Sequence, residues 1–156
     1  YFGGLVHGFI NYIPILIIFF IFLKKFLVYP NNLVQWAFFL SSSILAAFLY
    51  FLISYNLGLT SFWLGMIQSL VYGAQIIGEF LGGKYLPMDL FPKWLLKISN
   101  FLPFRYMIYE PISIFLNKAQ FNWLSLIVPL IWIVILSITA SVAWKRGIKV
   151  YEAYGA

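Results

Sequence analysis

The sequence predicts an all-α fold, a polytopic transmembrane helical bundle with an amphipathic, re-entrant helical hairpin before its last span. Three observations carry that prediction. Of 156 residues, 63% are hydrophobic and only 9% charged, whereas soluble domains are about 45–50% apolar and about 25% charged. Three long apolar runs hold no formal charge and a fourth holds none before Glu79. Between the third and fourth runs lies a stretch with Pro87, Pro92, Pro103 and Pro111 and half of the charged residues, which cannot continue as one straight span.

The expected spans cover residues 5–23, 33–54, 62–80 and 123–144 of a single transmembrane domain. Each is about 20 residues long, enough to cross a hydrocarbon core of about 30 Å. Helices are required because lipid offers peptide groups no partner, and the runs are too long for barrel strands. In the third run Ser61, Gly65, Ser69 and Gly73 recur every four residues, as do Ala74, Gly78 and Gly82. Ser42/Ala46 and Ser43/Ala47 repeat the pattern in the second, and such ridges let helix backbones approach. Gly82-Gly83 is expected to end the third run.

The hairpin, residues 84–117, starts from Asp89 and Pro92, a charge and a proline suited to a helix start. Phe91, Trp94, Leu95, Ile98 and Leu102 then follow helical spacing, with Lys93, Lys97 and Asn100 on the opposite face. That pattern places the helix in the membrane interface, lysines at the headgroups. Pro103 is expected to end it, and Arg105 to Leu116 to form a second short helix kinked near Pro111. After the last span, Lys145, Arg146 and Lys149 form a basic cluster of the kind that anchors a helix end on the cytoplasmic side.

The net charge of +6 is spread between and after the apolar runs, so it points to membrane lipids and not to nucleic acid. Tyr50, Tyr55, Trp63, Tyr85, Trp94, Trp123 and Trp144 cluster near run ends as an interfacial belt. Cysteine is absent, which removes disulfides, thiolate metal sites and a thiol nucleophile. The carboxylates Glu79, Asp89, Glu110 and Glu152 and the single histidine, His7, show no metal or catalytic spacing. There is no phosphate-cradling GxxxxGK[ST] loop and no GxSxG. No enzymatic activity, cofactor or metal is expected. Within the spans Glu79 stands out, because an ionisable group there tends to face a cavity or a partner; Lys84 is the candidate partner. His7, with Asn11 one turn on, is a candidate for the pathway, against a plain interhelical hydrogen-bonding role. The chain opens Tyr-Phe-Gly-Gly without an initiator methionine, and is expected to lack amino-terminal spans.

These features converge on a known pattern. The hairpin Leu86-Pro87-Met-Asp-Leu-Phe91-Pro92, Leu102-Pro103-Phe104-Arg105 and Tyr109-Glu-Pro111, followed by Trp144-Lys-Arg-Gly147-Ile-Lys-Val-Tyr151-Glu-Ala-Tyr-Gly155, resembles the type-2 ABC exporter (ABC-2) permeases over nearly the whole chain. Within them it is similar to a bacterial subfamily that closes on a final span and a basic-Gly-basic-Tyr-Gly tail. The resemblance implies the last four of six spans of a transmembrane permease subunit in the cell membrane. It implies a second permease subunit, the same or related, and a separate ATP-binding subunit that supplies the energy. It also implies that the hairpin sits at the outer face with the carboxy terminus cytoplasmic; the hairpin's amphipathic spacing and prolines add the expectation that it helps to close the outer gate, with Pro87, Pro92, Trp94, Pro103, Phe104, Arg105 and Pro111 as the candidate gating residues. A count of basic residues alone gives the reverse orientation, seven on the hairpin side against three after the last span; the reading follows the family. The rival reading is a non-transporting membrane assembly or anchoring protein whose hairpin docks a partner. The spans hold too few polar groups for a lipid-modifying enzyme.

Overall fold

A computed structural model of the chain describes residues 32–119 and 122–154, together with 13–15, 17, 18, 21 and 30. The first expected span, 5–23, lies outside the described residues apart from helical positions 13–15, 17, 18 and 21. His7, Asn11, Lys24 and Lys25 lie outside them as well. Among the described residues all regular structure is helical.

The helix α1, Leu33–Leu59, begins where the Asn32 side chain accepts a 2.8 Å hydrogen bond from the Gln35 amide. That satisfies one orphan donor of the first turn. It runs 27 residues, about 40 Å at 1.5 Å per residue. A 3₁₀ turn, Thr60–Phe62, closes it, with the Thr60 hydroxyl donating to the Leu57 carbonyl at 2.7 Å. The last helix, here α6, spans Leu124–Tyr154, about 46 Å of rise. Both are long and apolar enough to cross a membrane. Large apolar side chains on α1 (Leu40, Ile44, Phe48, Phe51) and α6 (Ile131, Val134, Ile138, Val142) point away from the protein, as expected where the surrounding solvent is lipid.

The two long helices run parallel, with both N-terminal ends at the hairpin. Asn56 donates to the Leu136 carbonyl at 3.0 Å and accepts from the Thr139 hydroxyl at 2.9 Å, an interhelical clamp of a kind that contributes roughly 0.6 kcal/mol on average in a bilayer. At one end the Phe62 ring lies edge-on to Trp144, with centroids 5.8 Å apart, and against Gly147. At the other end Gln35 donates to the Ile114 carbonyl at 3.0 Å, beside a Trp36, Phe39 and Phe115 cluster.

The run expected to be a third span is helical only in α2, Gln68–Leu81, 14 residues and about 21 Å long. Phe62 belongs to the preceding turn and residues 63–67 are not helical; the Trp63 and Leu64 amides both donate to the Thr60 carbonyl, and Gly65 disfavours carrying that turn on into a helix. The chain still travels from the Phe62 end toward the hairpin, where Gly82 caps α2 and Gly83 takes φ +82°.

The hairpin comprises a 3₁₀ turn, Met88–Leu90, and three short helices: α3, Lys93–Phe101; α4, Pro103–Met107; and α5, Tyr109–Phe115. Helices α4 and α5 pack along α1, with Tyr106 and Ile114 buried. The hairpin is therefore part of the bundle at that end, and the basic cluster of Lys145, Arg146 and Lys149 lies at the other. Those three residues are exposed and sit on α6 itself, which continues past Trp144 without a break.

Candidate functional site: a groove beneath a proline-broken hairpin

Each proline of the hairpin has a distinct place. Pro87 precedes the 3₁₀ turn with an extended ψ of 134°. Pro92 is the residue before α3, in extended conformation, and not a first-turn residue. Asp89 does not cap α3; it accepts a 2.9 Å hydrogen bond from the Tyr109 hydroxyl. Burial, with that bond, pushes the Tyr109 phenol above its ordinary pKa. Pro103 occupies the first position of α4, where its missing N–H costs nothing. The expected kink at Pro111 falls instead at Ile108, φ −125° and ψ −65°, which separates α4 from α5. A proline ring clashes with the carbonyl four residues before it, so the chain breaks upstream and Pro111 sits in the first turn of α5.

Helix α3 has three faces. Ser99 is buried, beside Phe91 just before the helix, which is buried too and stacks on Phe80 with centroids 5.6 Å apart. Lys93, Lys97 and Asn100 form a polar stripe. Trp94, Ile98 and Phe101 point outward, Trp94 at 64% and Phe101 at 78% exposure. The apolar face expected from the sequence thus divides into one part against protein and one open to lipid.

Beneath α4 lies a buried ionic cluster. Glu110, 4% exposed, accepts from Arg105 Nε at 3.1 Å and from the Ser125 hydroxyl of α6. Arg105 also donates to Asn100 and lies 5.2 Å from the Tyr109 ring centre, and Tyr106 donates to the Asn100 carbonyl at 2.9 Å. The cluster joins the hairpin to the last span. Sequence reasoning singled out Arg105 but missed Glu110 and Ser125. The signal available was a carboxylate five residues from an arginine across a helix break.

Phe104 projects from α4 onto α2. A Cβ placed on Gly78 would lie 2.9 Å from its ring, and one on Gly82 would lie 2.8 Å from its carbonyl oxygen. The Gly78 and Gly82 end of that ridge is therefore a packing face, while Ala74 lines the groove between α1, α2 and the hairpin. The other ridge is not, since nothing lies within 4 Å of a Cβ at Gly65 or Gly73.

Between α1, α2 and the hairpin is a groove of about 710 Å³. Its walls are mostly apolar, including Ala46, Ile53, Leu57, Val71, Met107 and Ile108, and Phe104 and Pro111 close its hairpin end. Its polar rim is built on Glu79. Lys84 approaches one carboxylate oxygen at 2.6 Å, Tyr85 donates to the other at 2.6 Å, and Gln75 donates at 3.2 Å. The bond to Glu79 raises the Lys84 pKa above its ordinary value. The geometry therefore brings Glu79, Lys84, Phe104 and Pro111 to one groove, while Trp94 lies on the lipid side. Among the described residues no group of acidic or histidine side chains is placed to hold a metal.

Comparison with known proteins assigns this all-α membrane protein to a family. The family model described as "ABC-2 family transporter protein" matches residues 5–155. No curated protein and no solved structure matches the chain. With all but its extreme ends matched, the chain belongs to the ABC-2 family of transporter proteins.

Proposed function

We propose that this chain is the transmembrane permease subunit of an ABC exporter in a bacterial cell membrane, forming the translocation path and performing no ATP chemistry. A separate ATP-binding subunit drives it, and a second permease subunit, identical or related, completes the transporter. The observation that carries this reading is the groove, about 710 Å³, within the size range of ligand sites and walled by the helices that must rearrange to move a cargo. Four crossings belong to this reading, with the first at residues 5–23 and the third at residues 62–80.

The orientation that fits is hairpin outward and carboxy terminus cytoplasmic. Lys145, Arg146 and Lys149 end the last span as a compact cytoplasmic anchor. Of the hairpin's basic residues, Arg105 sits on α4, which packs on α1, and Lys93 and Lys97 on α3, which packs on α4; these belong to docked helices and not to a connecting loop of the kind the positive-inside count covers. In the gating role, Phe104 is the side chain that closes the groove and Trp94 holds α3 in the interface.

The test is co-purification. The tagged full-length permease is expected to bring down an ATP-binding protein and stimulate its turnover in liposomes; an anchoring protein would bring down no ATPase. Within that assembled transporter, Trp94→Ala with Phe104→Ala is expected to change transport several-fold. Unaltered transport by a variant that still assembles would remove the gating role.

A further inference from the structure

The groove's two chemistries, a long apolar trough and a paired carboxylate and ammonium at its rim, describe an amphiphile. From Ser43 to Leu57 the groove follows α1 for about 21 Å at 1.5 Å per residue. That exceeds the depth of one leaflet, about half of a 30 Å hydrocarbon core. An acyl chain leaving bulk lipid for such a trough gains little, because lipid tails are as apolar as the walls. Selectivity must therefore come from the head.

At the rim, Glu79 is held by Tyr85 and Gln75 as well as by Lys84. Its position does not depend on the lysine. The Lys84 side chain is 52% exposed while that of Glu79 is 16% exposed, so the lysine stands at the solvent side of the pair, where an ion pair is weakened by water and Lys84 can exchange partners. A zwitterionic head satisfies both groups at once, its ammonium on Glu79 and its phosphate on Lys84. An anionic head would set phosphate beside the Glu79 carboxylate.

We propose that the groove binds one zwitterionic glycerophospholipid with an amine-bearing head, its acyl chain between α1 and α2 and its head at Glu79 and Lys84. This deepens the permease reading and rests on it for placing the groove along the cargo path. The test uses the full-length permease alone, without nucleotide or ATPase, so its outcome is separate from that of the co-purification.

The protein in mixed-lipid nanodiscs is exposed to phosphatidylethanolamine or phosphatidylglycerol carrying the same photoactivatable acyl chain, and labelled peptides are mapped by mass spectrometry. Phosphatidylethanolamine is expected to label residues 43–57 and 71–79 several-fold more than phosphatidylglycerol. Filling the trough with Ala74→Phe, or independently with Ala47→Phe, is expected to reduce labelling by both lipids several-fold. Lys84→Met with Glu79→Gln is expected to abolish the preference between heads while leaving chain labelling in place. Equal labelling by the two lipids in the unaltered protein, or undiminished labelling in both filled variants, means annular lipid alone and overturns the site.

Discussion

Replacement of Arg105 by methionine is expected to destabilise the protein by about 3–5 kcal/mol, the cost of leaving a buried carboxylate without its counter-charge. Glu110 is 4% exposed and its two side-chain oxygens are held by Arg105 and Ser125. Once the guanidinium is gone, neither water nor another cation reaches it. The converse change, Glu110→Gln, is expected to cost less. Arg105 is more open, with 24% of its side chain accessible, and it keeps Asn100 and the Tyr109 ring. Combining Arg105→Met with Glu110→Leu is expected to restore most of the loss, since a buried pair replaced by apolar groups of similar volume is often neutral or better. Unfolding in mixed micelles measures all three. A single Arg105→Met variant within about 1 kcal/mol of the unaltered protein would show that Glu110 is not desolvated as described.

Gly82→Ala is expected to cost about 1–3 kcal/mol, in the range of overpacked sites, and to loosen the hairpin from α2. The new methyl group would meet backbone, the Phe104 carbonyl at 2.8 Å and the Gly78 carbonyl at 3.0 Å, which cannot swing aside. Gly78→Ala meets only the Phe104 ring, at 2.9 Å, and is expected to do less harm because a side chain can turn. Gly73→Ala meets nothing within 4 Å and is expected to be neutral or stabilising by up to about 1 kcal/mol through helix propensity. Thermal unfolding of the three variants, with disulfide trapping between α2 and α4 as a readout of docking, tests the order. Equal effects at positions 73 and 82 would contradict it.

How far the sequence alone leads depends on the range of the forces involved. The two long helices are legible because solvent sets their composition residue by residue, and α1 and α6 need no partner to be recognised. The hairpin is legible because proline acts on its own backbone, as Pro103 does at the first position of α4. What escapes is whatever a distant segment decides. Pro111 announces a break, but its place at Ile108 follows from the carbonyl that the ring displaces. Two small-residue ridges look alike in sequence, yet Gly78 and Gly82 receive a neighbour and Gly65 and Gly73 do not, because Phe104 happens to arrive there. Glu110 and Ser125 are unremarkable 15 residues apart; folding buries both and makes them partners. The α2 helix is shorter than the apolar run that contains it, since it begins only at Gln68 and not where hydrophobicity begins.

The unbroken length of α6 has a mechanical consequence. Ser125, fastened to the Glu110 cluster, and Lys145, at the basic end, belong to one helix, about 30 Å apart along its axis. Pro129 removes one rung of the hydrogen-bond ladder between them but is itself fully buried. A displacement of the basic end is thus expected to reach the Ser125 end along one continuous helix, with the buried Pro129 as the one described point where its hydrogen-bond ladder is interrupted.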